Sequence, residues 1–238
     1  MQAVILAGGL ATRLRPLTET IPKSMLLINN KPFLQYQLEL LKNNGITDIV
    51  LCVGYLHDQI EDYFKDGKII GVNIKYSVER NDLLGTAGAL KNAEDLLQDK
   101  FFLTYGDSCV FLDFREIWFH FNSYSELALM VVYKNYNKYD KSNVCLKGNK
   151  VSKYDKKAMD NNMVYIDYGV SLLRKNILRF IPDGIVYSLE DVFKEIIEQN
   201  SMLAFEAKER FYEIGSFKGL EEFTNFILTK SISGGVEG

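Results

Sequence analysis

The residues that most constrain this chain stand at its start: Val4-Ile5-Leu6-Ala7, then Gly8-Gly9, then Thr12-Arg13, and Lys23 ten positions beyond the arginine. Four small or branched apolar residues in a row suit a strand buried on both faces of a parallel sheet. Paired glycines stop that strand, because a backbone without Cβ turns sharply and can lie directly against a flat or anionic ligand. Amides cradle phosphate oxygens and cations neutralise them, so strand, glycine turn and two spaced cations predict a triphosphate site. An ordinary strand-turn with a solvated Arg and Lys is the plainer reading of the same residues.

A chain of 238 residues is long enough for one large α/β domain with a substantial core, expected over residues 1–230, with 231–238 a frayed tail. Its net charge of -3 argues against a nucleic-acid partner, which would demand a basic face. Anionic substrates must then meet a local cluster of cations. No apolar run approaches a membrane span, and Met1-Gln2 leads directly into the first strand, so neither a membrane nor a signal peptide is expected. Cys52, Cys109 and Cys145 are an odd set without C-x-x-C spacing, which predicts buried free thiols in a cytoplasmic protein. His57 and His120 are isolated and do not suggest histidine-centred acid–base chemistry.

Along the chain, Pro32 and the spacing of Leu34, Leu38 and Leu41 predict a helix stopped at Asn43-Asn44-Gly45. Strands follow at 49–53, 72–78 and 101–105, with helices at about 58–64 and 85–97 between them. This rhythm predicts a parallel sheet covered on both faces. Ligands of such sheets gather beyond the carboxyl ends of the strands. Gly8-Gly9, the loop from Glu79 to Gly88, and Asp107 all fall at such ends. A helix at 114–122 opens the second half. Strands at 127–132, 144–146 and 165–173 suggest an antiparallel extension that builds the other wall of a cleft. Helices at 189–199 and 219–229, with a short strand near 203–207, close the fold.

Leu6-Ala7-Gly8-Gly9-Leu10-Ala11-Thr12-Arg13-Leu14-Arg15-Pro16-Leu17-Thr18 and Pro22-Lys23-Ser24-Met25 resemble the signature of the sugar-1-phosphate nucleotidyltransferases, L-A-G-G-x-G-T-R-L-x-P-x-T followed by P-K-x-M/L. The resemblance runs to about Phe226 and is nearest in look to heptose or mannose 1-phosphate guanylyltransferases. It implies a single-domain, Rossmann-like mixed sheet with helices on both faces, the nucleotide-diphospho-sugar transferase fold. One position departs: Ala11 stands where the family has its third glycine. If that position needs φ > 0, alanine costs about 1 kcal/mol.

The same resemblance implies roles for particular residues. Leu6, Ala7, Gly8, Gly9 and Thr12 would line the nucleotide, with Arg13 on the β- and γ-phosphates and Lys23 on the α-phosphate. Thr104-Tyr105-Gly106-Asp107-Ser108 resembles the L-x-G-D-x segment that supplies a metal ligand, which assigns Mg²⁺ to Asp107 and puts Gly106 on the sugar-phosphate side. Tyr212-Glu213-Ile214-Gly215 stands where relatives carry D-I-G, so Glu213 would be the second carboxylate. Lys157, in Val151-Ser152-Lys153-Tyr154-Asp155-Lys156-Lys157, matches the lysine of I-x-x-F-x-E-K that contacts the sugar phosphate, with Lys156 replacing the glutamate. A lysine-rich surface hairpin reads the same residues as well. Asp167 stands in a sugar-contacting Asn position and Glu190 in that of an S-L-E glutamate, for which a helix N-cap at Ser188 is the alternative. Glu79 precedes Leu84-Gly85-Thr86-Ala87-Gly88, similar to E-x-x-P-L-G-T-A-G. There Gly85 and Thr86 would approach the nucleotide, and Glu79 would accept from guanine N1–H and N2–H₂.

The implied reaction is NTP + sugar 1-phosphate → NDP-sugar + pyrophosphate, a step toward bacterial surface glycan precursors. Uridylyl-, thymidylyl- and cytidylyltransferases of the family stay open, as does a non-catalytic nucleotide-sugar sensor. A homodimer is an option. A glycosyltransferase is disfavoured because no D-x-D occurs, and a P-loop kinase because G-x-x-x-x-G-K-[ST] is absent.

Overall fold

Ala3, Val4 and Ile5 are fully buried, as their unbroken apolar run predicts, and their strand lies well inside the sheet. The structure is a computed structural model and describes residues 1–80, 82–157, 160 and 162–233. In the first half the strands are β1 (Gln2–Leu6), β2 (Leu27–Ile28), β3 (Lys31–Pro32), β4 (Asp48–Val53), β5 (Asn73–Val78), β6 (Lys100–Tyr105) and β7 (Ser108–Cys109). The second half adds β8 (Ala128–Lys134), β9 (Val144–Lys147), β10 (Lys150–Tyr154), β11 (Tyr165–Arg174), β12 (Met202–Ala207) and β13 (Tyr212–Glu213). Among the described residues the α-helices that join them are α1 (Phe33–Asn43), α2 (His57–Phe64), α3 (Gly85–Asn92), α4 (Phe114–Asn122), α5 (Leu189–Glu198) and α6 (Phe217–Ser233).

β1 pairs in parallel with β4 and β6, and β4 with β5, so the carboxyl ends of all four strands open on one side. Alternate residues of β1 point to opposite faces. Ala3 and Ile5 pack with Leu34 and Leu38 of α1, Ile60 of α2 and Ile117 of α4. Val4 packs with Leu90 of α3 and Phe193 of α5. The sheet is therefore sandwiched between helices, as a doubly covered sheet must be.

The second half continues the same sheet rather than building a separate one: the order is β5-β4-β1-β6-β11-β8-β12-β10-β9. β11 runs antiparallel to β6 and β8, but β12 lies parallel to β8, so the expected antiparallel extension is mixed. Met202, Leu203 and Ala204 are buried, as in a strand flanked on both edges. β10 escaped the sequence reading because a register shift between Val151 and Lys153 breaks its two-residue period.

Helix ends differ by a turn where capping chemistry is absent. α3 stops at Asn92 and gives way to a 3-10 turn over Glu94–Leu96, whereas a helix to Leu97 was expected. α6 runs to Ser233, through the first residues of the expected tail; 234–238 lie outside the described residues. Cys52 and Cys109 are buried and outside any disulfide, while Cys145 is only partly covered. Among the described residues no helix is long and apolar enough to cross a membrane.

Candidate active site

The four parallel strands deliver the first functional loop directly. After β1, Ala7 N–H donates to the Cys52 carbonyl (2.8 Å), and Gly8 then lies against β4 and Glu79. A Cβ on Gly8 would stand 2.8 Å from Glu79 Oε2 and 3.0 Å from the Gly54 amide nitrogen, so only glycine fits. A cavity of about 230 Å³ opens over this turn. Its walls include Leu6, Ala7, Gly8, Gly9, Lys23, Glu79, Gly85, Thr86, Tyr105, Gly106 and Asp107. Residues from five separate segments thus meet at the carboxyl ends of the sheet.

Ala11 adopts φ 49° and ψ 41°, the left-handed conformation that the family's glycine would take without strain. Its carbonyl accepts from Leu14 N–H (3.1 Å) and Thr18 Oγ1 (2.8 Å), and these bonds hold the turn that sends Thr12 and Arg13 outward. Arg13 does not line the first cavity. It lines a neighbouring groove of about 340 Å³ together with Arg210 and Glu213.

Asp107 follows β6 at a turn clamped by a side chain the sequence reading missed. Gln37, buried on the apolar face of α1, donates to the carbonyls of Tyr105 (2.8 Å) and Ser108 (2.5 Å). A glutamine three residues after Leu34 on that face was the available signal. Lys23 Nζ is 2.5 Å from Asp107 Oδ2. The ribbon β7–β13 pairs Ser108 with Glu213, and Ile214 N–H donates to the Asp107 carbonyl (2.9 Å). That pairing brings a residue from late in the chain against the rim of β6.

Gly215 marks where these groups converge. A Cβ there would lie 2.8 Å from Glu213 Oε2, 3.1 Å from Arg13 Nη2 and 3.2 Å from Asp107 Oδ2. Glu213 is oriented by Gly215 N–H on Oε2 (2.5 Å) and by Ser216 Oγ on Oε1 (2.6 Å), and each oxygen keeps a further lone pair. Two carboxylates facing one small space fit Mg²⁺, which takes one or two protein carboxylates and fills its octahedron with phosphate oxygens and water. No group of three His, Cys, Asp or Glu able to hold a metal occurs among the described residues, so a site of this open kind is the one the donor set allows.

Acids and a second phenol gather around Tyr105. Asp167 sits at an irregularity of β11, where Oδ2 accepts from the Tyr154 hydroxyl and Oδ1 from Gly169 N–H, both at 2.9 Å. Burial pushes the Tyr105 phenol well above its usual range, and Asp167, Asp107 and Glu190 nearby push it further. Tyr154 is raised by burial first and then by Asp167. Glu190 pairs with Lys194 (2.8 Å), and Ser188 caps α5 by accepting from Glu190 N–H. The capping role of Ser188 and a Glu190 near Tyr105 therefore coexist.

The nucleotidyl transferase family model matches residues 2–230. The chain belongs to that family. It is 31% identical over 230 residues to the D-glycero-alpha-D-manno-heptose 1-phosphate guanylyltransferase of Campylobacter jejuni, covering 96% of this chain and 99% of the relative. It is 44% identical over 124 residues to a UTP–glucose-1-phosphate uridylyltransferase of Synechocystis, which covers 48% of this chain and 32% of that protein. Among solved structures, HddC from Yersinia pseudotuberculosis complexed with GMP-PN is similar at a TM-score of 0.77 and 28% identity, over 95% of this chain and 99% of that one. Sugar-1-phosphate nucleotidyltransferases with the nucleotide-diphospho-sugar transferase fold are thus the family of this enzyme.

Within this nucleotidyltransferase, Thr86, Glu79 and Lys157 make contacts that their sequence assignment did not name. Thr86 Oγ1 accepts from Leu189 N–H (2.9 Å) and so ties α3 to α5 while lining the cavity. Glu79 Oε1 accepts from Leu84 N–H (2.7 Å), which leaves Oε2 as its oxygen with both lone pairs free of that bond; burial raises its carboxyl and the Leu84 bond lowers it in part. Lys157 is exposed: its N–H donates to Asp155 Oδ1 and its carbonyl accepts from Lys141 Nζ, both at 2.8 Å. Lys156, exposed as well, carries its Nζ 5.6 Å from the Tyr105 ring centre and 5.7 Å from that of Tyr154.

Proposed function

We propose that this nucleotidyltransferase joins an NTP, preferably GTP, to a sugar 1-phosphate and releases pyrophosphate. The convergence of Arg13, Asp107 and Glu213 over Gly215, beside a glycine-turn cavity, carries this reading. The acceptor needs no protein base. A phosphate monoester with its second pKa near 6 is largely dianionic at neutral pH. Neither histidine lines the cavity, in keeping with that economy.

An acceptor phosphate oxygen attacks the α-phosphorus, a new P–O bond forms, and the bond to the β-phosphate oxygen breaks with its electron pair on pyrophosphate. Gly8 and Gly9 let the nucleotide lie on the main chain. Lys23 holds the α-phosphate, and Arg13 draws the β- and γ-phosphates in line as charge develops on them. Asp107 and Glu213 would hold Mg²⁺, which supplies charge neutralisation to the phosphates and a template between the two substrates. Asp167 and Glu190 offer acceptors to sugar hydroxyls. Glu79 Oε2, against Gly8, accepts from a guanine edge. The guanylyltransferase name of the full-length Campylobacter relative and the GMP-PN in the Yersinia structure support the same base.

Pyrophosphate release measured with ATP, GTP, CTP, UTP and dTTP against a panel of sugar phosphates tests the reading. The highest kcat/KM should fall to GTP with a hexose or heptose 1-phosphate. Turnover with no sugar phosphate overturns the reaction, and a preference for UTP or dTTP overturns the base.

A further inference from the structure

We propose that the start of α6 is a seat shaped for a glutamate at position 213, with Ser216 and Gly219 as positioning residues for its carboxylate. The aspartate that relatives carry there would not fill it. The proposal rests on the placing of Mg²⁺ between Asp107 and Glu213 made above. The Glu213 backbone is held in register: β13 pairs it with Ser108, and Ile214 N–H donates to the Asp107 carbonyl (2.9 Å). From that fixed point, the length of the side chain decides where the carboxylate ends.

The glutamate ends against α6. Ser216, immediately before the helix, donates from Oγ to Glu213 Oε1 (2.6 Å) and accepts from Gly219 N–H (3.0 Å). A serine in that place caps a helix. Here the same hydroxyl links an end amide of a 17-residue helix to the carboxylate, and the positive end of the helix dipole favours its ionised form. Gly215 N–H holds the other oxygen, Oε2 (2.5 Å). Both oxygens are thus directed before any ligand arrives, which is how groups behind a metal ligand raise its affinity.

Gly219 supplies the room. Its backbone is not in the left-handed region, so no turn requires glycine there, and glycine within a helix is less stable than alanine. A Cβ at 219 would stand 2.7 Å from Glu213 Cδ, and closer still to Oε1 and to the carbonyl oxygen of the same residue. The space that an alanine methyl would take is therefore the space that the longer acid occupies. An aspartate at 213, one carbon shorter from the same fixed backbone, would leave that space empty and draw its carboxylate away from Gly219. The longer acid at 213 and the missing Cβ at 219 answer each other.

The test titrates Mn²⁺ into the full chain with GTP and no sugar phosphate, reads free Mn²⁺ by electron paramagnetic resonance, and subtracts the same titration of GTP alone. Thermal melts are recorded beside it. Glu213→Asp should weaken Mn²⁺ binding about ten-fold, and Ser216→Ala about ten- to a hundred-fold, the cost of losing support behind a metal ligand. Ser216→Thr, which keeps the hydroxyl, should recover most of the binding. A Glu213→Asp protein that binds Mn²⁺ as tightly as the wild type overturns the proposal. So does a Ser216→Ala protein that melts earlier with unchanged Mn²⁺ binding, because the hydroxyl would then serve the helix alone. A wild type that takes up no Mn²⁺ beyond that held by GTP overturns the metal assignment itself and this proposal with it; a wild type that does, with both variants unchanged, overturns this proposal alone.

Discussion

Lys23 Nζ lies 2.5 Å from Asp107 Oδ2, an ion pair that joins the segment after the glycine turn to the rim of β6. The cation assigned to the α-phosphate and the carboxylate assigned to the metal therefore hold each other in place. Both side chains are about one-fifth exposed, at 21% and 22%, so water screens the pair and its worth to folding is small, on the order of 1 kcal/mol. Its value lies in position.

Asp107→Asn separates those two contributions. Turnover should fall by orders of magnitude, while loss of a screened ion pair should lower Tm by only about 2–4 °C. Initial rates across a magnesium titration, with a thermal melt alongside, check this. Near-wild-type turnover at low magnesium would remove Asp107 from the metal site.

Gly215→Ala should leave the fold intact and disable the chemistry. The backbone at Gly215 is not in the left-handed region, so alanine brings no conformational strain. Its methyl would push the ends of the Glu213, Arg13 and Asp107 side chains apart, and such ångström-scale misplacement costs about 10²-fold in kcat/KM. Unchanged activity would mean that these three side chains do not work at one point.

Ala11→Gly should stabilise the protein. A non-glycine residue in the left-handed region carries about 1 kcal/mol of strain, which glycine relieves, less what glycine's freer unfolded chain takes back. Differential denaturation at matched m-values reads the shift. A less stable Ala11→Gly would show that the unfolded-state term dominates.

Glu79→Gln addresses the base and pH together. Burial raises the Glu79 carboxyl in the folded state. Its contribution to stability is then full below the unfolded pKa and is lost as pH rises through the folded one. Glu79→Gln, which keeps the acceptor for Leu84 N–H, should gain on the wild type as pH rises from about 4 to 7. The advantage of GTP over UTP should shrink in this variant. In the wild type it should weaken on acidification at a higher pH than an ordinary carboxylate would give. Stability curves and the ratio of kcat/KM values for the two nucleotides supply both readings, and an undiminished GTP advantage in Glu79→Gln would place base recognition elsewhere.

The central strand, the glycine turn, the helices covering the sheet and the placement of Glu79 and Asp107 at strand ends were legible in the sequence. Each follows from local chemistry: apolar periodicity, absence of Cβ, and a chain that must turn where a buried strand ends. The Gly8-Gly9 loop and Lys23 accordingly line the cavity where they were expected.

Long-range pairing decided the rest. β12 entered the sheet parallel to β8, because which slot a buried strand fills depends on partners far away in sequence. Ala11 carried a conditional cost in the sequence alone; only the bonds to its carbonyl set φ at 49°. Lys156 and Lys157 are adjacent and chemically identical. Both lie in a bend beyond the end of β10, and the course of that bend lays the Lys156 ammonium over the Tyr105 and Tyr154 rings. Glu213 came to Asp107 through the β7–β13 register, a contact between distant segments that residue identity could suggest but only the folded chain could bring about.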